Sequence, residues 1–231
     1  MRPRIMKPPP EGAPLEANGK HFVPALGHDW LTPLYDPLIR LTLREQALKE
    51  RLVDQAAVQP GMRVLDFGCG TATLTLLLKR SQPTAMVVGL DIDPRVLHIA
   101  ERKIGKAQSD VRLVQGTLQD AGFAPESFDR VVTCLVLHHL TEREKLAAFS
   151  GMRELLRPGG ELHIGDFGPP HNMIMKLVSW PVRFLDGSDR VGPNLTGRLP
   201  ALMREAGFGD VRDRGSAMTA FGTLAFWSAV R

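Results

Sequence analysis

Short apolar runs alternate with helical patterns through most of the chain. The strand-like runs, rich in Val, Leu and Ile, lie at 62–67, 85–91, 111–114, 130–135 and 161–166. Several segments between them place leucines at helical spacings, as does the stretch 28–58 near the N-terminus. This alternation predicts a parallel sheet whose faces are covered by helices that make right-handed crossovers.

Local signals mark where some of these helices begin and end. Asp93 accepts from the free amides of a first turn, and the proline that follows it suits the first helical position. Thr141 and Glu144 have the spacing of a capping box. The helix that they open is predicted to run to about Arg157, where the turn sequence at 158–160 stops it.

The alternation of strand and helix patterns is interrupted after the fifth strand. Residues 167–194 are predicted to form an inserted lid, and a helix at 199–206 follows. Two strand-like runs, 210–214 and 220–230, then occur with no helical pattern between them, so they must pair antiparallel. The predicted fold is a doubly wound, mostly parallel seven-stranded α/β sheet with an antiparallel last strand and an N-terminal helical cap.

Composition divides the chain into three parts. Residues 1–20 are rich in Pro, Gly and charge, which predicts a disordered leader. Residues 21–60 are expected to form the helical cap, and 61–231 the main domain with the lid at 167–194. The apolar stretch 171–185 inside that lid suits a substrate lid, a membrane-touching surface or a dimer contact.

Net charge, cysteine content and the length of apolar segments limit which binding partners and which cellular compartment are expected. The 231 residues carry a formal net charge of +4, with no run of Lys or Arg outside the N-terminal leader, so nucleic-acid binding is not expected. Cys69 and Cys134 are the two cysteines, and they lack the spacing of metal ligands, so no bound metal is expected. Because so few cysteines make a disulfide framework improbable, we expect the protein in the reducing cytoplasm. No stretch has the apolar length that crosses a bilayer. We expect a small-molecule substrate and a monomer or homodimer, with a membrane contact left open.

A glycine-rich turn, Asp66-Phe67-Gly68-Cys69-Gly70, follows the first predicted strand. Glycines two apart let a bulky ligand lie against the backbone, where Cβ atoms would block it. Asp91 ends the second strand 21 residues after Gly70, close to the offset of about 20 expected for a carboxylate that binds ribose hydroxyls. The pair predicts a nucleotide-type cofactor at the carboxyl edge of the sheet.

The identity of that cofactor follows from Asp66 and two later motifs. A carboxylate just before the glycines would repel a pyrophosphate but suits the ammonium of a methionine moiety. The later motifs are Ser127–Val132 with Leu137-His138-His139-Leu140, and Leu155-Leu156-Arg157-Pro158-Gly159-Gly160. With these motifs in order, the sequence resembles the class I S-adenosylmethionine-dependent methyltransferases, a Rossmann-like family. The last motif is typical of the small-molecule branch that includes the ubiquinone/menaquinone methyltransferases.

The resemblance implies where the methionine half of S-adenosylmethionine lies. Gly68 and Gly70 would line this half, with Asp66 near its ammonium. Cys69 belongs to the same turn, and Cys134 lies where the fourth strand passes the methionine.

For the nucleoside half, the resemblance implies that Asp91 holds the ribose hydroxyls. Ile92 would pack on the adenine face and Leu118 beside it. The family often has an Asp after the third strand, but this chain has Thr117, so its hydroxyl or nearby backbone groups would read the adenine. The pair Tyr35-Asp36 resembles the quinone-methyltransferase branch, in which the leading helix closes over the cofactor; aromatic packing of Tyr35 is the structural alternative.

Three residues at the carboxyl ends of strands are candidate general bases. His138 and His139 follow the fourth strand, and Asp166 ends the fifth. A histidine suits the role because its pKa lies near neutrality, and a base is needed only if the acceptor must lose a proton. Packing of one histidine, capping by the other and turn formation by Asp166 are the structural alternatives.

The resulting functional hypothesis is methyl transfer from S-adenosylmethionine to oxygen or nitrogen of a small, partly apolar acceptor. The first alternative is a lipid or quinone C-methyltransferase at a membrane surface. An NAD-dependent oxidoreductase would show a fuller Gly-x-Gly-x-x-Gly and no acid before the glycines. A cofactor-binding protein without catalysis is the remaining alternative.

Overall fold

The computed structural model describes residues 45–170, 188–219 and 222–231. Seven strands form one sheet in the order β3-β2-β1-β4-β5-β7-β6. Their bounds are β1 Arg63–Phe67, β2 Met86–Asp91, β3 Arg112–Gln115, β4 Phe128–Cys134, β5 Leu156–Phe167, β6 Gly209–Thr219 and β7 Gly222–Val230. The first five strands run parallel, whereas β7 is antiparallel to both of its neighbours, β5 and β6.

Six α-helices and one short 3-10 helix lie in the described part of the chain. Their bounds are α1 Glu45–Ala56, α2 Thr73–Ser81, α3 Pro94–Lys106, the 3-10 helix Leu137–His139, α4 Glu142–Leu155, α5 Ser188–Leu195 and α6 Leu199–Glu205. Asp93 caps α3 by accepting from the Arg95 amide, and Thr141 with Glu144 forms the capping box of α4. Both helix starts are therefore confirmed as predicted.

Apolar side chains fill a core on each face of the sheet. Helices α1, α2 and α3 cover one face, in a cluster that includes Leu52, Leu74, Leu78, Ala100 and Phe226. Helices α4 and α6 cover the other, in a cluster that includes Val131, Phe149, Met152, Leu202 and Trp227. A sheet buried on both faces explains why the central strands are continuously apolar rather than alternating.

The predicted doubly wound sheet with its antiparallel end is confirmed, and two boundaries are corrected. Helix α4 ends at Leu155 rather than near Arg157, and β5 begins at Leu156 rather than at Glu161. The reason is that Leu156 already pairs with Phe128 of β4, ahead of a bulge that absorbs the turn sequence. The final hairpin is also longer than predicted, because β6 extends to Thr219.

Parts of the predicted domain organisation stay predictions. The leader, Tyr35 and most of the N-terminal cap lie outside the described residues, although α1 falls within the predicted cap and packs on the sheet. The same holds for 171–187 of the predicted lid. Among the helices that the structure describes, none combines the length and hydrophobicity needed to span a membrane.

Candidate active site

The loops that follow the parallel strands meet at the carboxyl edge of the sheet. Each predicted site residue in the described part of the chain lies at the end of β1, β2, β3, β4 or β5, or directly after it. Doubly wound sheets bind their ligands at this edge. The residues that the sequence placed together are therefore brought to one side of the molecule.

The glycine-rich turn after β1 is fixed by backbone hydrogen bonds to β2. The amides of Gly68 and Cys69 both donate to the Leu90 carbonyl, at 2.8 and 3.0 Å. A Cβ on Gly68 would lie 2.4 Å from the side chain of Val136, whereas one on Gly70 would meet no atom within 4 Å. The turn thus packs against the chain after β4 at Gly68 and leaves open space beside Gly70. That open space is what a ligand lying against the backbone requires.

The two cysteines have different surroundings. Cys69 is buried, and its thiol lies within 2.9 Å of where a Cβ on Gly89 would stand, so the side chain points at β2. Burial raises the pKa of the Cys69 thiol far above its ordinary value, which keeps the thiol neutral. Cys134 is half-buried at the end of β4, opposite Gly165. Cys69 therefore does not present a reactive sulfur.

Asp91 is held in place by two backbone amides. Its Oδ2 accepts from the Gly70 amide at 2.8 Å, and its Oδ1 accepts from the Asp93 amide at 3.0 Å. Burial raises the pKa of this carboxyl, an effect that the two amide hydrogen bonds oppose. A carboxylate has about four acceptor positions, so each oxygen of Asp91 keeps one for a ligand. This geometry fits a pair of vicinal hydroxyls.

Asp66 lies beneath the glycine-rich turn. It is 1% exposed, and its Oδ2 accepts from the Thr75 hydroxyl at 2.6 Å. Burial raises the pKa of Asp66 to about 6, although the Thr75 hydrogen bond and the charge of Lys49 act in the opposite direction. A buried carboxylate needs a compensating charge to stay ionised, and an ammonium is the charge that would supply it.

The ends of β2 and β3 carry the residues expected near the adenine. Ile92 follows Asp91 and is 52% exposed, an apolar surface open to packing. Leu118 is half-buried and packs on α4, close to Gly151. The Thr117 hydroxyl donates to Asp120 Oδ2 at 2.7 Å. The hydroxyl that the sequence assigned to the adenine therefore has a carboxylate partner three residues later.

Asp166 is the polar centre of the second half of the site. It is completely buried at the end of β5. Its carboxylate accepts five hydrogen bonds, from the backbone amides of Val136, Leu137 and Phe167 and from the side chains of His138 and Asn194. Burial acts to raise the pKa of Asp166, but the His138 ring and these amides outweigh it, so the pKa lies below its ordinary value.

The Asp166–His138 contact fixes the imidazole. His138 Nδ1 lies 2.8 Å from Asp166 Oδ1, and the ring is buried with its edge against Phe167, 4.9 Å between centroids. An ionised carboxylate can only accept, so Nδ1 must carry the proton. The basic nitrogen of a neutral His138 is then Nε2.

His139 has contacts that differ from those of its neighbour. Its ring lies 4.0 Å from the His138 ring between centroids, and its carbonyl accepts from Arg190 Nη1 at 2.7 Å. Burial, together with the His138 ring, lowers the pKa of His139 to about 3. His139 is therefore a neutral imidazole at physiological pH.

The polar side chains of Asn194 and Lys145 join helix α5 to β5 and to the chain after β4. Asn194 donates from Nδ2 to Asp166 Oδ1 at 3.2 Å and to the Phe167 carbonyl at 3.3 Å. Lys145 of α4 is completely buried, and its ammonium donates to the carbonyls of Leu140 and Arg190. Burial lowers the pKa of Lys145 to about 8. These contacts hold the two histidines between α4, α5 and β5.

Sequence reasoning missed Thr75, Lys145 and Asn194. Each forms a hydrogen bond with a residue outside its own helix, and none belongs to a sequence motif that would predict that partner. Thr75 had a weak signal, a polar residue among leucines in the first turns of the helix after the glycines. For Lys145 and Asn194 we find no signal in the sequence. In the described residues no group of three or more His, Cys, Asp and Glu side chains is arranged to hold a metal.

Comparison with known families identifies the class of enzyme. A family model described as "Methyltransferase domain" matches residues 64–160, from the first strand through the turn before Glu161. An uncharacterised methyltransferase of Synechocystis is 30% identical over 190 residues, which cover 80% of this chain and 85% of that protein. The chain belongs to the class I S-adenosylmethionine-dependent methyltransferases, as the sequence motifs predicted.

Two further comparisons refine this assignment. The demethylmenaquinone methyltransferase of Thermus thermophilus is 34% identical over 150 residues, covering 64% of this chain and 67% of that one. The crystal structure of a SAM-dependent methyltransferase from Aquifex aeolicus shares the fold with a TM-score of 0.61 at 16% identity, covering 87% of this chain and 96% of that one. The enzyme therefore uses S-adenosylmethionine, which sets aside the oxidoreductase alternative.

Proposed function

We propose that the enzyme transfers a methyl group to the oxygen or nitrogen of a small, partly apolar acceptor, and that His138 removes the proton of that acceptor. The observation that carries the proposal is the Asp166–His138 contact of 2.8 Å at the carboxyl edge. A carboxylate behind an imidazole fixes its tautomer and stabilises the imidazolium formed when Nε2 takes a proton.

The other two candidate bases fit the role less well. Asp166 already accepts five hydrogen bonds and has a lowered pKa, so it holds His138 in position rather than taking a proton itself. His139 has a pKa of about 3, which makes it a weak base at neutral pH. Its neutral ring, tilted against that of His138, would instead give the acceptor a partly apolar surface.

The cofactor residues that we assign would bring the reacting methyl group beside this base. S-adenosylmethionine supplies a methyl group activated by a sulfonium. We assign Asp66 to the ammonium of its methionine part, Gly68 and Gly70 to the backbone surface, and Asp91 to the ribose. Because Gly68 packs on Val136 of the chain that leads to His138, this assignment brings cofactor and base together. Proximity and orientation are the main contributions to such a displacement.

A second candidate function is C-methylation of a hydroquinone-type ring. It is favoured by the relative named demethylmenaquinone methyltransferase, at 34% identity. The same base would serve, since removal of a hydroquinone proton by His138 makes the adjacent ring carbon nucleophilic. The two functions differ only in the atom that receives the methyl group.

A panel of acceptors incubated with methyl-labelled S-adenosylmethionine separates the two functions. The panel should contain a phenol, an aromatic amine and a naphthohydroquinone with a free ring position, kept reduced under anaerobic conditions. Mass spectrometry and NMR of the products then locate the label. An O-methyl or N-methyl product supports the first proposal, and a ring C-methyl product replaces it with the second.

Replacing His138 by Ala should reduce the turnover of the acceptor that the panel identifies. We expect a loss of about 10²–10⁴-fold in kcat, the usual contribution of a general base, with cofactor affinity unchanged. His98→Ala is the matched control, because His98 is an exposed histidine of α3 that lies near Glu101 on the same helix. Wild-type turnover in the His138 variant would contradict the assigned base.

Cofactor affinity should depend on pH through Asp66. The free protein holds Asp66 at a pKa of about 6, and the cofactor ammonium favours the ionised form. Affinity should therefore be constant above about pH 6 and weaken below it, by at most about tenfold per pH unit. Calorimetric titration with S-adenosylhomocysteine from pH 5 to 8 measures this.

Two variants test whether Asp66 is the group responsible. Asp66→Asn should abolish the pH dependence near 6. Thr75→Val should move its midpoint to higher pH, because the Thr75 hydrogen bond lowers the pKa of Asp66. An unchanged profile in Asp66→Asn would assign the titration to another group.

A further inference from the structure

Arg190 carries a positive charge that no carboxylate of the described residues neutralises. It lies in the first turn of α5 and is half-buried. Its guanidinium makes one hydrogen bond within the described part of the chain, from Nη1 to the His139 carbonyl at 2.7 Å. Arg198, later in the chain, differs in this respect because it pairs with Glu142 at 2.9 Å. A half-buried cation without a counter-ion favours the binding of an anion.

The unoccupied side of this guanidinium has the geometry that binds an anionic oxygen group. The contact with His139 occupies Nη1, whereas Nε and Nη2 of Arg190 have no partner among the described residues. The N–H groups of Nε and Nη2 point to the same side of the guanidinium plane. Two parallel donors of this kind bind a carboxylate or a phosphate in bidentate form.

The position of Arg190 is fixed relative to the histidine pair. Asn194 of the same helix donates to Asp166 at 3.2 Å, and Asp166 in turn holds His138. The charge of Arg190 also acts on the His139 ring, because burial, the His138 ring and Arg190 together lower the pKa of His139 to about 3. The two free donors therefore belong to the same rigid unit as the base that we assign.

The charges around the histidines leave this part of the site positive. Lys145 donates to the carbonyls of Leu140 and Arg190, and with a pKa of about 8 it adds a second positive charge at neutral pH. Asp166 is the buried carboxylate of this part, and His138 is among its donors. An acceptor that brings a negative charge would balance the excess. It would also favour the imidazolium that forms when His138 takes a proton.

We propose that Arg190 is a specificity-determining residue that binds an anionic oxygen group, a carboxylate or a phosphate, on the methyl acceptor. The acceptor would present its reacting oxygen or nitrogen to His138 while Nε and Nη2 of Arg190 hold its anionic group. The inference rests on the proposed function for the reaction that this acceptor undergoes. It names the class of acceptor as small molecules that combine an apolar body with an anionic group.

The test compares anionic and neutral ligands of matched shape, bound to the complex with S-adenosylhomocysteine, in which no methyl transfer occurs. The anionic probes are para-hydroxybenzoate, para-aminobenzoate and para-hydroxyphenyl phosphate. The neutral references are para-hydroxybenzyl alcohol and para-aminobenzyl alcohol. Isothermal titration should show that the wild-type protein binds an anionic probe about tenfold more tightly than its reference, the lower end of what hydrogen bonds to a charged group contribute. The carboxylate and phosphate probes show which group the site prefers.

Two variants separate ligand binding from a local structural role. Arg190→Gln keeps an amide that can donate to the His139 carbonyl, but it removes the charge and the pair of parallel donors. The preference should then fall to within about twofold. Arg198→Gln is the matched control, because it removes the same charge from an exposed arginine that already pairs with Glu142. It should keep the full preference. An arginine that only supported the backbone would affect anionic and neutral ligands alike.

Three results would overturn the proposal: equal affinities in the wild-type protein, binding of none of the anionic probes, or an undiminished preference in Arg190→Gln. Methyl transfer is tested separately by the acceptor panel. Transfer without the preference would retain the proposed function and remove the role of Arg190. The preference without transfer to any acceptor would retain the anion site and remove the proposed function.

Discussion

Replacement of Asp91 by Ala is expected to weaken S-adenosylhomocysteine binding by about a hundredfold or more. Two hydrogen bonds from ribose hydroxyls to a carboxylate contribute about 1.5 kcal/mol each at the low end, and their sum corresponds to that factor. Loss of the contacts to the Gly70 and Asp93 amides adds to the effect, because those contacts hold the turn beside the ribose. Isothermal titration measures it directly.

The control for Asp91 is its neighbour Asp93. Asp93→Ala removes a helix cap, the contact with the Arg95 amide at 2.8 Å, and should cost about 1 kcal/mol of stability. It should leave the affinity for S-adenosylhomocysteine within about threefold of the wild-type value. If the Asp91 variant bound the ligand as well as the Asp93 variant does, the ribose assignment would be wrong.

The second large effect is expected in stability rather than in binding. Asp166→Ala should lower the free energy of unfolding by about 3–5 kcal/mol, because it leaves five donors buried without their acceptor. Asp166→Asn should recover little of this, since its amide nitrogen would face donor N–H groups. Urea denaturation, with the slope of the transition compared between variants, is the measurement.

An exposed aspartate on α1 provides the comparison for this experiment. Asp54 lies on the solvent side of that helix, and Asp54→Ala should change the free energy of unfolding by no more than about 0.5 kcal/mol. A loss of less than about 1 kcal/mol in Asp166→Ala would mean that the donors find water instead. Asp166 would then not be the centre that the hydrogen bonds indicate.

The predictable features of this molecule are those encoded locally. The strands were visible because a sheet buried on both faces requires continuous apolar runs, and the helix starts because Asp93 and Thr141 satisfy amides only two or three residues away. The link between Gly70 and Asp91 was also predictable. A fixed number of residues separates the ends of two adjacent parallel strands joined by one helix, so the spacing itself carries the information.

The second half of the site could not be predicted in this way. Asp166, His138 and Asn194 meet because β4, β5 and α5 pack together, and the pairs that they form span 28 residues each. No local pattern requires an asparagine in α5 to face a carboxylate in β5. The sequence therefore supplied Asp166 as a candidate base, and only the hydrogen bonds indicate that it orients other groups instead.

The same hydrogen bonds have a consequence for the order in which the protein assembles. Asp166 draws its donors from the chain after β4, from the end of β5 and from α5, the last of which lies downstream of the first two. During synthesis its carboxylate can enter the core with a full set of partners only after α5 has left the ribosome and docked. Because such non-local contacts form late, a chain that stops short of α5 lacks the Asn194 donor of Asp166 and the Arg190 contacts to His139 and Lys145.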